Sequence, residues 1–279
     1  MDRSLDGDTY RAERNQEERG DQVPERDASD ARTKESKTVC HLRGHNYYLN
    51  PRQAALLREI GTFRTITAES LQKHVYQGDI HRFTNDLRNL ANQRLLTLHP
   101  DPRSKDLYLS LNRAGKNLAE AHLRANTEQS VYSGIVKKRE LRHDAAIYEV
   151  YQKEAQKISK SGGKIKRIVL DFELKKNVNR QLANIQKLSP TERERQRQGI
   201  AEAYGLKIVK GKMQIPDLRM EYESREQEQC RVDLECVTGH YKARQIAAKI
   251  AAGFKLYNQD YHGRSAERGE DLIGEVMSL

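Results

Sequence analysis

The run DIHRFTNDLRNLANQRLLTLHPDPRSKDLYLSL, Asp79 to Leu111, decides how the first half of the chain is read. Asp79 is a helix-capping residue after Gly78, and Ile80, Phe83, Leu87, Leu90 and Ala91 recur at helical spacing. The spacing predicts a helix over 80–92 with those residues on its buried face. The opposite face then carries His81, Arg82, Asn85, Arg88 and Asn89. Leu95 to Leu98 and Leu107 to Leu111 are short apolar runs around the polar stretch His99 to Lys105, the pattern of a two-stranded hairpin. Upstream, Asn50-Pro51 starts a helix containing Leu56, Leu57 and Ile60, which Gly61 is expected to stop. Thr67 starts a second, with Leu71 and Val75 on one face. Downstream, Leu118, Ala121 and Leu123 predict a further amphipathic helix over 113–124, linking or pairing domains.

Helix, helix, helix, hairpin is the order of a winged helix-turn-helix. In that layout the third helix enters a major groove, so His81, Arg82, Asn85, Arg88 and Asn89 are candidates for contact with double-stranded DNA. Arg103 and Lys105, at the expected wing tip, suit phosphate or minor-groove contact. Two plainer readings stay open: a merely solvated third helix, or a dimerisation module.

Charge agrees with a polyanion partner. The 279 residues carry 50 Lys and Arg against 40 Asp and Glu, a net of +10. Residues 1–36 hold seven basic and eleven acidic side chains, so the remainder carries +14. That first stretch has Leu5, Tyr10 and Val23 as its few large apolar residues, too little to offset the entropy of ordering it. We read 1–38 as a disordered acidic arm, 39–127 as the winged-helix domain and 128–279 as a second, α/β domain, an α+β protein overall. No run of 18 apolar residues exists, the acidic start is not an apolar leader, and Cys40, Cys230 and Cys236 have neither disulfide nor zinc spacing. No membrane partner and a cytoplasmic location are expected.

The second domain is expected to contain a helix over 144–158 preceded by Arg142-His143, a strand over 168–174 within a positive stretch, and charged helices over 181–204 broken at Pro190. A hairpin then leads to Pro216-Asp217, followed by an extended segment, a strand over 231–237 and a long helix over 242–257 burying Ile246, Ile250, Phe254 and Tyr257. Val232, Leu234 and Cys236 share one strand face and Asp233 and Glu235 the other, because side chains alternate. With Asp217 at a neighbouring strand end, the three carboxylates form a candidate Mg²⁺ or Mn²⁺ site. Such an ion polarises a phosphodiester and activates water. Alternating charge on a solvent-facing strand gives the same pattern.

Ile215-Pro216-Asp217 followed by Val232-Asp233-Leu234-Glu235 resembles the PD-(D/E)xK nuclease pattern. Val237 stands where the pattern has lysine, so Lys242 or Lys249 would have to supply that charge from the following helix. The layout also resembles the plasmid replication-relaxation family, which includes MobC-type mobilisation relaxases, over about residues 50 to 257. His143 matches its early histidine, Pro216-Asp217 its Pro-Asp, Asp233-Leu234-Glu235 its acidic pair with the acids exchanged, Thr238-Gly239 its small pair, and Lys249 with Tyr257 its helix. The resemblance implies a nuclease-like domain with Asp217, Asp233, Glu235, His143 and Lys249 as candidate catalytic residues, and conjugation or replication proteins as partners. His143 is a candidate acid/base or a plain helix-start residue. Glu149 could face the site. Tyr241 is a candidate nucleophile. Metal-assisted nicking or relaxation of plasmid DNA, a non-catalytic DNA-binding initiator or regulator, and a scaffold homodimerising through the winged helix remain distinct outcomes.

Overall fold

The computed structural model describes residues 37–102, 106–123, 128–135, 137–239, 241–258 and 276–278. The expected acidic arm and the wing-tip residues Arg103 and Lys105 lie outside them.

The described chain begins with an antiparallel hairpin of β1 (Thr38–Leu42) and β2 (His45–Leu49) that sequence reading did not anticipate. Its turn residues Arg43 and Gly44 both have positive φ, 51° and 79°, as a two-residue hairpin turn matching strand twist requires. Helix α1 (Pro51–Phe63) is started by Asn50, which accepts from the Gln53 N–H at 2.7 Å. The Gln53 side chain accepts in return from the Asn50 N–H at 3.1 Å, closing a capping box. Gly61 does not stop this helix. It lies inside it, where a Cβ would come within 2.5 Å of Val131 and 2.8 Å of Leu111, so its role is close approach.

Strand β3 (Ile66–Thr67), α2 (Ala68–His74) and α3 (Ile80–Asn92) follow. Then come β4 (Leu96–Pro100), β5 (Leu107–Leu111) and α4 (Arg113–Leu123). The strands form an antiparallel sheet in the order β3-β5-β4, and α4 packs on α1. Thr67 and Asp79 cap α2 and α3 as expected, each cap worth about 1 kcal/mol. Two expected burials fail: Ile80 is 54% exposed, and Ala121 of α4 is exposed.

A short 3₁₀ turn, Lys138–Glu140, leads into α5 (Leu141–Lys160) and then β6 (Lys164–Leu170). The expected strand over 168–174 is corrected: the chain turns helical at Asp171, giving α6 (Asp171–Asn184). Asp171 and Glu173 sit in the first turn, where carboxylates favour a helix N-terminus. Helix α7 (Pro190–Ala203) precedes the ribbon of β7 (Ile208–Val209) and β8 (Lys212–Met213). Strands β9 (Leu218–Glu223) and β10 (Gln229–Val237) lead to α8 (Ala243–Ala252). The long helix expected over 242–257 is cut at Gly253, whose φ of 87° makes it a left-handed cap. Phe254 is thus released from the helix, and Tyr257 belongs to β11 (Lys255–Asn258), which pairs with β12 (Val276–Ser278). Ile250, expected inside, is 42% exposed.

The five-stranded sheet has the order β12-β11-β10-β9-β6. Strands β6, β9 and β10 are antiparallel, whereas β10, β11 and β12 are parallel, with α8 as the crossover between β10 and β11. One face buries Ile168, Leu170, Leu218, Met220, Leu234, Cys236 and Tyr257 in the cluster that holds Ile147, Val150 and Ile158 of α5. The same cluster includes Leu56, Ile60 and Phe63 of α1. The expected boundary near residue 127 therefore does not separate two cores: the described residues on either side of it share one cluster in an α+β unit. Phe63 packs edge-on to Tyr148 with centroids 5.0 Å apart, and Glu149 holds His74 of α2 at 3.0 Å. The other face carries Val237 and Leu256 against Ala252 and Phe254 beside α8, and the polar residues at 217, 219, 233 and 235.

Candidate functional site

Antiparallel pairing of Asp233 with Arg219 and of Leu234 with Leu218 brings Glu235 level with Asp217, the residue just before β9. Asp217 is fixed at this strand end from two sides. Its carbonyl accepts from the Asp171 N–H at 3.0 Å, and its Oδ2 accepts from the Cys236 N–H at 2.9 Å.

Glu235 is 1% exposed. Its Oε1 lies 2.7 Å from Lys249 Nζ and accepts from the Tyr241 hydroxyl at 2.9 Å. Its Oε2 is buried without a hydrogen-bond partner. Burial first, then the charge of Asp217, pushes the Glu235 carboxyl up to about 7, against the opposing pull of Lys249 and Tyr241. Lys249 also donates to the Ile215 carbonyl at 2.8 Å. Of the two lysines that the sequence offers, Lys249 of α8 is the one beside Glu235, while Lys242 stands exposed at that helix's N-cap.

His143, in the first turn of α5, reaches Asp217 Oδ2 with Nε2 at 3.4 Å and Asp144 with Nδ1 at 3.8 Å. Burial opposes its charge, but the two carboxylates outweigh that and raise it to about 10. Held between two carboxylates, the ring favours its protonated form, which suits the acid side of the expected acid/base role. Tyr241 is also held as the acid, its phenol pushed up by burial and by the charges of Asp217 and Glu235.

Asp233 does not join this group. Arg219, 4% exposed, donates to its two oxygens at 2.6 and 2.8 Å, and also to the Tyr204 carbonyl at the end of α7 at 2.5 Å. Both Asp233 oxygens are consumed by a bidentate ion pair. Among the described residues no set of three or more His, Cys, Asp or Glu side chains is placed to share one metal ion. The expected triad is therefore corrected to a pair, Asp217 and Glu235. Two residues that sequence reading missed border it: Asp171 and Lys175, paired one helical turn apart at the start of α6. The charges of Asp171, Asp217 and Glu235 raise Lys175 against its desolvation. Its 171/175 spacing was the available signal, hidden by the strand assignment. Glu149, occupied by His74 and Lys73, faces α2 and not this site.

A divalent ion, if one is used, would have the pair and not the triad to bind. Mg²⁺ commonly uses one or two carboxylates and completes its shell with water and phosphate oxygens. The unpartnered Glu235 Oε2 beside Asp217 supplies the donor chemistry. No family model and no curated protein matches the chain.

Exposed basic residues also stand outside the acid cluster. Lys138, Arg139 and Arg142 lie exposed at the start of α5, and the charge of Lys138 reaches His99 of β4. On α3, His81, Arg82, Asn85 and Arg88 are exposed. Arg82 also meets Asp79 at 3.2 Å. Asn89 is corrected: it donates to Gln53 Oε1 at 2.9 Å and to the Tyr48 carbonyl at 3.3 Å, so it braces the helix against its neighbours. Asp86, on the same flank, is buried with the Tyr76 hydroxyl at 3.0 Å and Gln53 at 2.7 Å.

Proposed function

We propose that the chain binds double-stranded DNA through α3 and cuts one strand at the Asp217–Glu235–Lys249 cluster, as a nicking or relaxing protein of a plasmid or mobile element. The order α1, β3, α2, α3, β4, β5 supports a winged helix-turn-helix, with the exposed row of α3 facing a groove. Helix α5, the β6-β9-β10 meander, α8 and parallel β11 support a PD-(D/E)xK-like domain. The observation that carries the catalytic reading is the convergence at Glu235. It combines a buried carboxylate with one oxygen unpartnered, an acid beside it just before the next strand, and a lysine at 2.7 Å.

Asp217 and Glu235 would hold Mg²⁺ or Mn²⁺, which supplies charge to polarise a phosphodiester. Lys249 sets a positive charge beside the phosphate, and His143 presents a proton for a departing oxygen. Lys175, half-exposed at the rim, draws the backbone inward.

Supercoiled plasmid incubated with the protein in Mg²⁺ or Mn²⁺ is expected to become open circles. Glu235→Gln, of nearly the same shape, should slow this by about a hundredfold or more. Duplex binding without cleavage in either metal would reject the catalytic half of the proposal and leave a non-catalytic initiator or regulator. That second reading is favoured by one observation: Lys249 is already engaged by Glu235 and the Ile215 carbonyl.

A further inference from the structure

Tyr48 of β2 is joined to the C-terminal end of α3 through side chains. Gln93 Oε1 accepts from the Tyr48 N–H at 2.7 Å, and Gln93 Nε2 donates to the Tyr48 carbonyl at 3.0 Å. Asn89, one helical turn earlier, donates to the same carbonyl. The two amides therefore engage both backbone groups of Tyr48 and fix the hairpin beside the helix at that point. On a helical wheel they flank the exposed row His81, Asn85, Arg88 by less than a third of a turn from its edge.

The hairpin has the charge of a phosphate-binding element. Residues 37–49, the hairpin and its lead-in, contain Lys37 and Arg43 and no Asp or Glu. Lys37, His41, Arg43 and His45 are exposed, with Arg43 at the tip. Its outer face also leaves Val39 43% and Tyr48 48% exposed, directly paired across the strands. The pair offers a small apolar contact surface beside the exposed charges.

We infer that the β1–β2 hairpin is a second DNA-contacting arm, which grips the phosphate backbone beside the groove that α3 enters. Arg43 and Lys37 neutralise phosphates, and Tyr48 with Val39 packs against the sugar edge. This rests on the DNA-binding reading of α3 and extends it to a surface outside the helix-turn-helix.

The test uses the full chain and a labelled duplex of arbitrary sequence, with affinity measured from about 50 to 200 mM salt. The double variant Lys37→Gln, Arg43→Asn removes both charges. Asn keeps the turn, because Asn-Gly favours the left-handed conformation that Arg43 adopts here. Affinity should fall about tenfold at 0.1 M salt, and the slope of log affinity against log salt should shrink by about 1.8. Arg43→Lys, which keeps the charge, should bind within about twofold of the parent. An unchanged affinity and slope for the double variant, while Arg88→Ala is weakened, would overturn the arm and spare α3. Failure of the parent chain to bind duplex at any salt would overturn both. Equal losses for Arg43→Lys and for the double variant would assign the hairpin a packing role and reject phosphate contact.

Discussion

Asp233 and Glu235 stand two residues apart on one face of β10, and their surroundings are opposites. Asp233 meets a planar guanidinium that donates to both of its oxygens. Glu235 meets an ammonium and a phenol on one oxygen, with the other left bare. The difference lies in the neighbour on β9. Position 219 offers Arg219 across from Asp233, while position 217 offers a second acid across from Glu235. A closed pair holds structure, because every lone pair is used. An open pair of like charges stores unfavourable electrostatics that a cation or phosphate-bound ion relieves.

The largest expected effect comes from breaking the closed pair. Arg219→Met leaves Asp233 buried without a partner and frees the carbonyls at the end of α7. It should cost about 3–5 kcal/mol in urea unfolding. The double variant with Asp233→Leu should recover much of that, since removing both charges leaves none uncompensated. If Arg219→Met alone lost less than about 1 kcal/mol, the contrast between the two acids would not be structural.

The open pair should respond the other way. Lys249→Met is expected to lower plasmid nicking by about a hundredfold, while unfolding free energy changes by about 1 kcal/mol or less. The loss is small because Glu235 already sits near 7 and takes up a proton when its cation is removed. A stability loss as large as that of Arg219→Met would make Lys249 a structural residue and sink its place in the site. Tyr241→Phe sharpens this further. It removes one hydrogen bond, so nicking within about tenfold of the parent and no protein–DNA covalent product are expected if water is the attacking group. Abolished nicking, or a covalent adduct trapped on the parent chain, would make Tyr241 the nucleophile.

The parts of the fold legible in the sequence were those fixed by local chemistry. Asn50, Thr67 and Asp79 capped helices where their side chains said they would. Alternation placed Asp233 and Glu235 on one face. What failed depended on partners distant in the chain. Gly61 has the local look of a stop, yet it answers to Val131 seventy residues away. Phe254 and Tyr257 continued the helical spacing of Ile246 and Ile250, and that periodicity outweighed the stop written in Gly253. The acid triad failed because Arg219, a single basic residue in the extended segment after Asp217, lies across from Asp233, a pairing that spacing alone does not give. The hairpin before Asn50 went unread because its strands mix His, Tyr and Asn without a clean polar–apolar alternation.

A third buried acid, on the other side of the sheet, tests whether pairing alone governs these fates. Glu154 of α5 accepts from Lys255 Nζ and from the Tyr257 hydroxyl, each at 2.6 Å, tying α5 to β11. Burial works to raise its carboxyl, but those two hydrogen bonds and the charges of Lys255 and Lys157 prevail and hold it below 4.5. A depressed carboxyl contributes stability above its unfolded value that is lost as pH falls through the folded one. Glu154→Gln should therefore cost about 1 kcal/mol at pH 7, a modest figure because Lys255 is half-exposed and its charge is screened. The gap from the parent chain should close as pH drops below about 4.5. A gap that stayed constant with pH would assign the loss to packing, and Glu154 would no longer belong with Asp233 among acids fixed by their cations.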